Sequence, residues 1–290
     1  MKLITKMYSE DSLKFSIIGP SGYIAARHLK AISEFTSAGI FSFLDISNQD
    51  FHGRTERTKF FDDEEKFFLN ILENKVDYVV ICSPNNLHYS HIKQSIEAGA
   101  KVICEKPLVF LRAHIEELKS EQYRNKIFGI MQMRLHPVVK KIRSISNESN
   151  RGILKFVTKR DEAYKKSWKV KREYSGGILF NLGIHYFDLL FQIFGNPKDI
   201  EVEDLSDFRS SGVLTFENLQ LQWLLSIDDK DLPHGTTTLR EFSLGKYKID
   251  FSSVDKDLHI QNYEKIINEQ QFEFRDIITS HKIISDIYEK

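Results

Sequence analysis

A lysine and a histidine are the residues of this chain best suited to moving a proton. Lys106 ends the apolar run "VICEKP", and the proline after it favours an extended backbone that fixes the direction of the lysine. His185 lies in the apolar segment "GGILFNLGIHYFDLL", where Asn181, His185 and Asp188 would form one polar stripe on a helix. Histidine transfers protons near neutral pH, and a positioned lysine can hold or release one. The simpler interpretations are a strand that turns polar at its end and a hydrogen-bonded core histidine.

The segment "IIGPSGYIAARH" (17–28) is typical of a strand, a glycine turn and a helix that begins directly after it. Such a turn lets the backbone approach a pyrophosphate, and the helix N-terminus offers amide groups to the anion. The usual glycine positions hold Gly19, Ser21 and Ile24, so the match to the dinucleotide fingerprint is poor, but its place after the first strand favours it. The predicted cofactor contacts of this turn are Gly19, Ser21, Gly22, Tyr23 and Ile24.

Three other predicted strands end in polar residues. Asp45 ends the second strand, about 20 residues after the glycine turn, where an acid accepts both adenosine ribose hydroxyl groups and repels a 2′-phosphate. It therefore predicts NAD rather than NADP, and the alternative is a simple cap of the turn after "SFLD". Ligands of open parallel sheets bind at this carboxyl edge, although Asn pairs in turns also occur for conformational reasons. The further cofactor contacts predicted after the third and fourth strands are Ser83, Pro84, Asn85, His88, Glu105 and Lys106.

The first half of the chain alternates short apolar strands with amphipathic helices. The sequence predicts strands at 14–19, 39–47, 76–84 and 101–107, with helices at 23–35, 63–74 and 89–100 between them. This order indicates right-handed parallel crossovers in a doubly wound sheet, and the near-continuous apolar strands indicate that both faces of the sheet are covered.

From about residue 150 the pattern changes to alternating strands joined by short turns, around one apolar helix at 178–195. Helices are also predicted near 260–268 and 275–289. We therefore predict an α/β protein with two domains. Residues 1–135 form a dinucleotide-binding domain with a parallel sheet, and residues 136–290 form an α+β domain with a mostly antiparallel sheet.

The composition narrows the classes of partner. The 290 residues carry 41 basic and 41 acidic side chains, so no global field favours nucleic acid or an anionic membrane. No apolar run reaches the roughly 20 residues of a membrane-spanning helix, and "MKLITKMYSEDSLKF" lacks the apolar region of a secretory signal. Cys82 and Cys104 both lie in apolar runs, which predicts reduced, buried thiols, no metal site and a cytoplasmic location.

Four segments, "GYIAARHL", "CSPNNLHYSHI", "CEKPL" and "GGILFNLGIHYFDL", resemble in order and spacing the Gfo/Idh/MocA oxidoreductases. The resemblance implies an N-terminal Rossmann domain that binds NAD, followed by an α/β domain with an open, mostly antiparallel sheet that binds substrate and pairs subunits. "YKKSWK", "WLLSIDDKDLP" and "DLHIQNYEKII" are similar to one branch, the WlbA or WbpB nucleotide-sugar dehydrogenases. Members of that branch oxidise C3 of UDP-N-acetylglucosaminuronic acid. The resemblance therefore also implies a homotetramer, and it makes 2-oxoglutarate one candidate for the oxidant that recycles NADH.

The resemblance also implies roles for individual residues. His185 would act as the base and Lys106 would hydrogen-bond the same hydroxyl oxygen. The roles could be exchanged, because a partly desolvated lysine beside a positive charge loses its proton more readily. Asn181 replaces the Asp of many family members, so no carboxylate at that position can be the base. The basic segment 159–172 would meet the UDP group, and the implied substrate contacts are Gln132, Arg134, Arg160, Lys166, Ser167, Trp168, Asn181 and His185.

Two other functions fit the same residues. One is the same oxidation of UDP-N-acetylglucosamine, whose hydroxymethyl group replaces the carboxylate, for the synthesis of a 3-amino sugar of lipid A. The other is a non-catalytic relative that binds the dinucleotide to regulate a partner. Such a regulator is expected to lose the lysine or the histidine, and this chain has both Lys106 and His185.

Overall fold

The computed structural model describes residues 12–35, 38–47, 58–251 and 257–289. The predicted absence of a secretory signal concerns a segment that lies largely outside these residues. The chain divides into two compact units, which are described separately. The first unit is Met1–Val109, Glu116–Met131 and Asp257–Ile277, and the second is Phe110–Ile115, Gln132–Lys256 and Ile278–Lys290. The sequence assigned 257–277 to the second domain, whereas this segment packs in the first unit; the predicted boundary at residue 135 stays a prediction.

The described residues form strands and helices in an alternating order through the first half of the chain. The strands are β1 Leu13–Ile18, β2 Ala38–Leu44, β3 Lys59–Phe61, β4 Tyr78–Ile81, β5 Lys101–Cys104, β6 Ile127–Gly129, β7 Arg151–Thr158, β8 Asp199–Leu205, β9 Arg209–Thr215, β10 Gln220–Ser226, β11 Thr238–Leu244 and β12 Tyr247–Asp250. The helices are α1 Ala25–Ser33, α2 Glu64–Asn74, α3 His88–Glu97, α4 Arg112–Leu118, α5 Val138–Ile145, α6 Glu162–Lys166, α7 Arg172–Ser175, α8 Ile184–Phe194, α9 Leu258–Glu269 and α10 Phe274–Tyr288.

The first unit is built on a six-stranded parallel sheet of order β3-β2-β1-β4-β5-β6. Every residue of β4 is buried, as expected for a strand that is covered on both faces. The strand order reverses between β1 and β4, and ligands of doubly wound sheets bind outside the carboxyl ends of the strands at such a point. The predicted parallel, doubly wound fold is thus confirmed.

Local sequence explains how the helices of the first unit begin and pack. Asp63 accepts a hydrogen bond from the backbone N–H of Lys66 at 2.9 Å and so caps α2, whose first turn carries two acids. Helix α9 packs against α1, and the ring of Tyr263 lies 6.4 Å from that of Phe15 in the core. The C-terminal segment therefore completes the hydrophobic core of the first unit.

The second unit contains a six-stranded sheet of order β12-β11-β7-β10-β9-β8. All neighbouring strands are antiparallel except β7 and β10, which run parallel, so the predicted open and mostly antiparallel sheet is confirmed. Alternate residues of β7 and β10 are buried, and Trp223 of β10 packs edge-on against Phe187 of α8 at 5.3 Å. Helix α8 therefore covers one face of this sheet.

The helical stretch Arg172–Phe194 is the one in the described part of the chain that is long and apolar enough to cross a membrane, with a mean hydropathy of 1.3. Its apolar window is 72% buried inside the protein, as in the core helix of a globular unit. Within the stretch, a π-helical turn at Leu179–Gly183 directly precedes α8. A Cβ atom on Gly183 would lie 2.6 Å from the side chain of Leu225, so only glycine permits this close approach of helix and sheet.

Candidate functional site

The glycine turn lies between β1 and α1, at the carboxyl edge of the first sheet. Gly19 has a φ of +78°, and a Cβ atom there would lie 2.9 Å from backbone atoms of Cys82 and Ser83. Glycine is therefore required both by conformation and by space. The backbone N–H of Gly22 donates to the carbonyl of Gly19 at 3.2 Å, and the helix starts at Ala25. The turn thus brings the backbone to the helix N-terminus as a dinucleotide pyrophosphate requires, although it departs from the usual glycine pattern.

Asp45 follows β2 directly and is joined to the glycine turn. Its Oδ2 accepts hydrogen bonds from the Ser21 backbone N–H at 3.0 Å and the Ser21 hydroxyl at 2.5 Å, and its Oδ1 accepts one from the Ser47 N–H at 3.1 Å. A carboxylate has about four lone-pair sites, so acceptor capacity for ribose hydroxyl groups remains. Tyr23 and Ile24 complete the turn, and Tyr23 is 83% exposed. The structure therefore brings together the acid and the turn that the sequence connected only by spacing.

Two histidine side chains form hydrogen bonds that hold the loop after β4 in place. Ser83 contacts His91 at 2.9 Å through its hydroxyl group, while Pro84 and Asn85 begin a short 3₁₀ turn. The fully buried His88 places Nδ1 2.7 Å from the carbonyl oxygen of Pro107 and Nε2 2.9 Å from that of Ser83. His88 therefore bridges the loops after β4 and β5 and uses both ring nitrogens within the protein. Its predicted contact with the cofactor stays a prediction.

Glu105 lies between β5 and Lys106 in a buried polar cluster. Its Oε1 lies 2.9 Å from His28 Nε2 and 3.5 Å from His259 Nε2, and its Oε2 accepts the backbone N–H of Lys106 at 3.2 Å. The second ring nitrogen of His28 lies 2.7 Å from the Tyr263 hydroxyl. Burial alone would raise the pKa of Glu105, but the neighbouring side chains of His259 and His28 hold that pKa well below its usual 4.5. Burial lowers the pKa of His28, so a carboxylate meets a neutral imidazole.

Ring nitrogens of His28 and His259 and a carboxylate oxygen of Glu105 lie within 4.8 Å of one another, which is close enough to admit a metal ion. The His28–Glu105 distance of 2.9 Å is that of an ordinary N–H···O hydrogen bond. Hydrogen bonding therefore accounts for this part of the cluster. No sequence pattern indicated this cluster, because His28 follows the apolar spacing of α1 and the other two residues are far away in the chain.

In the second unit, the polar stripe around His185 is only partly assembled as the sequence predicted. Asn181 lies in the π-helical turn, and its side-chain amide donates to the hydroxyl of Tyr164 at 2.8 Å and to the carbonyl of Lys169 at 2.9 Å. Asp188 lies on α8 and is 1% exposed, while His185 is half-buried. The wider π turn changes the angular spacing between Asn181 and His185 from that of a regular helix.

Asp188 holds an arginine that the sequence assigned to the substrate. Its two oxygens accept hydrogen bonds from Arg134 Nε at 2.7 Å and Nη2 at 2.6 Å, and Oδ1 also accepts the Ser280 hydroxyl at 2.7 Å. Fork-shaped pairs of this kind fix the plane of the guanidinium group. Asp188 therefore orients Arg134, a role that the sequence did not indicate because the two residues are 54 positions apart.

The basic segment contributes an aromatic residue that the sequence interpretation missed. The guanidinium of Arg160 lies 4.5 Å from the ring centre of Tyr164, and burial raises the pKa of this tyrosine. Ser167 donates its hydroxyl to the carbonyl of Tyr164 at 2.7 Å; Trp168 is half-buried and Lys166 is exposed. The hydrogen bond that Asn181 donates to the Tyr164 hydroxyl connects the segment to the stripe. Tyr164 is the first residue of the motif "YKKSWK", which was the only signal that could have identified it.

Two of the predicted substrate contacts have a buried polar atom without a hydrogen-bond partner among the described residues. Gln132 Oε1 and Arg160 Nε are both buried and make no hydrogen bond to any residue that the structure describes. Leaving such groups unpaired costs about 1 to 3 kcal/mol each, more for a charged group. Both belong to the second unit, as do the basic segment and His185, whereas Lys106 belongs to the first. Bound polar ligand or water would satisfy them.

Family models match both units of the chain. Residues 13–128 match the oxidoreductase family with an NAD-binding Rossmann fold, and residues 153–209 match the C-terminal alpha/beta domain of the same oxidoreductase family. The first curated relatives are matched over about half of their length or less. The trans-1,2-dihydrobenzene-1,2-diol dehydrogenase of Xenopus tropicalis is 24% identical over 51% of this chain and 46% of its own. Glucose-6-phosphate 3-dehydrogenase of Bacillus subtilis is 26% identical over 72% of this chain and 61% of its own.

Solved structures match over nearly the whole chain. The WlbA (WbpB) dehydrogenase of Thermus thermophilus in complex with NAD and alpha-ketoglutarate has a TM-score of 0.86 and 30% identity, covering 95% of this chain and 94% of its own. The same enzyme with NAD and UDP-GlcNAcA gives 0.85 and 31% with the same coverage. These matches and the glycine turn confirm NAD as the cofactor. With both halves matched in order, the chain belongs to the Gfo/Idh/MocA family of oxidoreductases.

Proposed function

We propose that the protein is an NAD-dependent dehydrogenase that oxidises the C3 hydroxyl group of UDP-GlcNAcA to a ketone. The observation that carries this proposal is the similarity, over 94–95% of both chains, to the Thermus thermophilus WlbA enzyme that binds NAD with UDP-GlcNAcA. Glucose-6-phosphate 3-dehydrogenase, whose name places its reaction at the same sugar carbon, supports C3 as the reacting position. A nucleotide-sugar substrate also agrees with the concentration of basic residues in 159–172 of a chain with no net charge.

The residues of this chain supply proton transfer and orientation. NAD, when bound, supplies the acceptor for the hydride that leaves the alcohol carbon. His185 takes the hydroxyl proton, and Lys106 donates a hydrogen bond to the same oxygen and stabilises the negative charge that develops there. The exchange of these two roles remains the alternative. The Glu105 contact to the backbone N–H of Lys106 and the His88 contact to the carbonyl of Pro107 hold the lysine's own segment in place.

The second unit supplies the groups that would bind the UDP end. Arg160 has an unsatisfied buried Nε and lies against the ring of Tyr164, so its guanidinium is held in one orientation. Planar guanidinium groups bind phosphate oxygens through paired hydrogen bonds. Arg134, oriented by Asp188, and Gln132, with its unsatisfied oxygen, are the other proposed contacts. Lys166, Ser167 and Trp168 follow in the same segment.

The wider biological setting is part of the same proposal. The 3-keto sugar would be the substrate of an aminotransferase in surface-polysaccharide synthesis. Because the Thermus thermophilus enzyme was crystallised with alpha-ketoglutarate, we propose 2-oxoglutarate as the oxidant that regenerates NAD. A cytoplasmic homotetramer, without nucleic acid or membrane partners, completes the proposal.

The test compares two sugars with the purified protein. UDP-GlcNAcA and UDP-GlcNAc are assayed side by side with NAD, by NADH absorbance and by mass detection of the 3-keto product. Turnover of UDP-GlcNAcA is expected to be the faster by kcat/KM. Preferential turnover of UDP-GlcNAc would support the 3-amino-sugar alternative, and NAD binding without turnover of either sugar would support the regulatory one.

Neighbouring basic residues provide a matched pair for the substrate contacts. Arg160→Met is expected to raise KM for the UDP-sugar about tenfold or more, because a charge-assisted bond to phosphate is worth about 1.5 to 3 kcal/mol. Lys159→Met is the control, since Lys159 is 57% exposed and pairs with Asp229 at the surface. Equal KM values for the two variants would contradict the proposed role of Arg160.

A further inference from the structure

A continuous chain of buried polar contacts leads from α9 to the backbone of Lys106. The Tyr263 hydroxyl lies 2.7 Å from His28 Nδ1, His28 Nε2 lies 2.9 Å from Glu105 Oε1, and Glu105 Oε2 accepts the Lys106 N–H at 3.2 Å. His28 and Tyr263 have no exposed surface and Glu105 is 7% exposed. All four residues belong to the first unit. This series of contacts thus joins helix α1 after the glycine turn, helix α9 and the end of β5.

The chemistry of these groups permits one consistent set of donors. An ionised carboxylate only accepts, so Glu105 receives hydrogen bonds from the His28 Nε2–H and from the Lys106 N–H. A neutral imidazole with its proton on Nε2 has an accepting Nδ1, and the Tyr263 hydroxyl donates to it. Each bond therefore fixes the direction of the next. The low pKa of Glu105 and the lowered pKa of His28 agree with this assignment.

The pH dependence of Glu105 also reflects the other ionisable groups that surround these hydrogen bonds. Glu105 faces ionisable groups on α1, α3, β5 and α9 and Cys82 just after β4, and the charge of Arg27 acts on His28. The groups that act on the carboxylate or respond to it are His28, His88, His259, Cys82, Cys104 and Tyr263. Burial raises the pKa values of both cysteines and of Tyr263, so these three groups stay neutral at neutral pH and Glu105 is the buried anion of the cluster.

We propose that Tyr263 and His28 are positioning residues that act through Glu105 to hold Lys106 in its working orientation. This inference rests on the proposed function, because it assigns Lys106 to the reacting hydroxyl group. Small displacements of a positioned group cost up to about 100-fold in rate. The two residues would touch neither substrate nor cofactor, and their effect would appear in kcat rather than in binding.

Two substitutions of His28 test the hydrogen bond to Glu105, because one of them can keep this bond and the other cannot. The amide of His28→Gln can place N–H near the position of Nε2 and keep the bond to Glu105, whereas the side chain of His28→Asn is too short to do so. His28→Asn is expected to lower kcat about 10- to 100-fold, with KM and NAD affinity within about twofold of the wild type. His28→Gln is expected to retain kcat within about threefold, and Glu105→Gln should abolish the difference between the two.

A second pair of substitutions perturbs the protein less, so that an effect on rate can be told apart from a loss of folding. Tyr263→Phe removes only the first donor of the chain and is expected to lower kcat by about 3- to 10-fold. Tyr123→Phe is its control, because Tyr123 is a buried tyrosine of the first unit that does not belong to this series of hydrogen bonds. The acid limb of the kcat–pH profile should move to higher pH in His28→Asn, since Glu105 loses a bond that favours its ionised form.

An infrared measurement separates failure of this inference from failure of the proposed function. The C=O band of protonated Glu105, identified by its loss in Glu105→Gln, should appear at higher pH in His28→Asn than in the wild type, and this readout needs no substrate. If the wild-type protein oxidises neither sugar, the proposed function fails. The infrared result still tests the hydrogen bonds that join Tyr263, His28 and Glu105. Unchanged kcat, pH profile and band in His28→Asn would overturn the inference. Stoichiometric zinc in the purified protein, lost in His28→Asn, would also overturn it in favour of a metal site.

Discussion

Removal of the Asp188 carboxylate should lower the stability of the second unit strongly. Its side chain is 2% exposed and that of Arg134 is 16% exposed, so the pair is largely shielded from water. Asp188→Ala removes the carboxylate that receives two bonds from Arg134 and one from Ser280. Breaking a buried ion pair by deleting one partner costs about 3 to 5 kcal/mol, because the other charge stays buried. We expect a loss of this size in the free energy of unfolding.

Asp188→Asn should be less harmful. It keeps the shape of the side chain and one acceptor oxygen, but its NH2 group cannot accept, so one of the two bonds from Arg134 is lost. A hydrogen bond to a charged group contributes about 1.5 to 3 kcal/mol, so a loss of about that size is expected. The order wild type, Asn, Ala would show that charge and geometry both contribute.

Tryptophan fluorescence can follow this unfolding selectively. The two tryptophans of the chain, Trp168 and Trp223, both belong to the second unit. Urea titrations of the variants would therefore report on the unit that contains Asp188. Asp204→Ala is the matched control, because its bond to Arg209 is of similar length, 2.8 Å, but the side chains are 33% and 38% exposed.

The control pair should contribute about 0 to 1 kcal/mol, as exposed ion pairs do. A cost below 1 kcal/mol for Asp188→Ala, or an equal cost for the two alanine variants, would refute the reasoning that burial makes the Arg134 pair important. A large stability loss should be accompanied by a rise in KM for the UDP-sugar, since Arg134 would lose its orientation.

Three further predictions concern the first unit. Asp45→Ala should relax the preference for NAD over NADP by about 1.5 to 3 kcal/mol, read from the ratio of kcat/KM values; an unchanged ratio would exclude the ribose contact. Lys106→Ala should lower kcat by about 10²- to 10⁴-fold with NAD affinity retained, and activity within a few-fold would make the lysine only a strand terminus. Burial lowers the pKa values of His28, His88 and His91 from their usual 6.5, so their contribution to stability is present above pH 6.5 and is lost as pH falls through the folded values. Hydrogen exchange of the first unit at pH 7.5 and 5.5 checks this; equal protection at both would contradict it.

The local pattern of the sequence determined most of the secondary structure. The helix predicted at 63–74 is Glu64–Asn74, since acids and an N-cap mark its start and apolar spacing marks its length. The alternating strands of the second half also lie within a few residues of their predicted positions. The strands Lys59–Phe61 and Ile127–Gly129 were missed because three residues are too few to show a period.

The candidate site was predictable where its residues are contiguous. A glycine turn after a strand, an acid after the next strand and "EKP" at the end of a third all lie at carboxyl ends of parallel strands, and parallel strands carry those ends to one edge. The segment "YKKSWK" likewise identified the basic residues, but its first residue, Tyr164, was not predicted to have a role. In each case a short stretch of sequence contains the whole signal.

Contacts between distant residues were decided only by the tertiary structure. His28 meets Glu105 across 77 positions and Tyr263 across 235, and helix α9 joins the first unit although the whole second sheet lies between them in the chain. No periodicity encodes such pairs, because a buried histidine in an apolar stripe has the same spacing whether or not it has a polar partner. The sequence therefore determined which elements form and which loops reach the sheet edge. The packing of those elements determined which polar groups are buried together, and hence which of them can position Lys106 and Arg134.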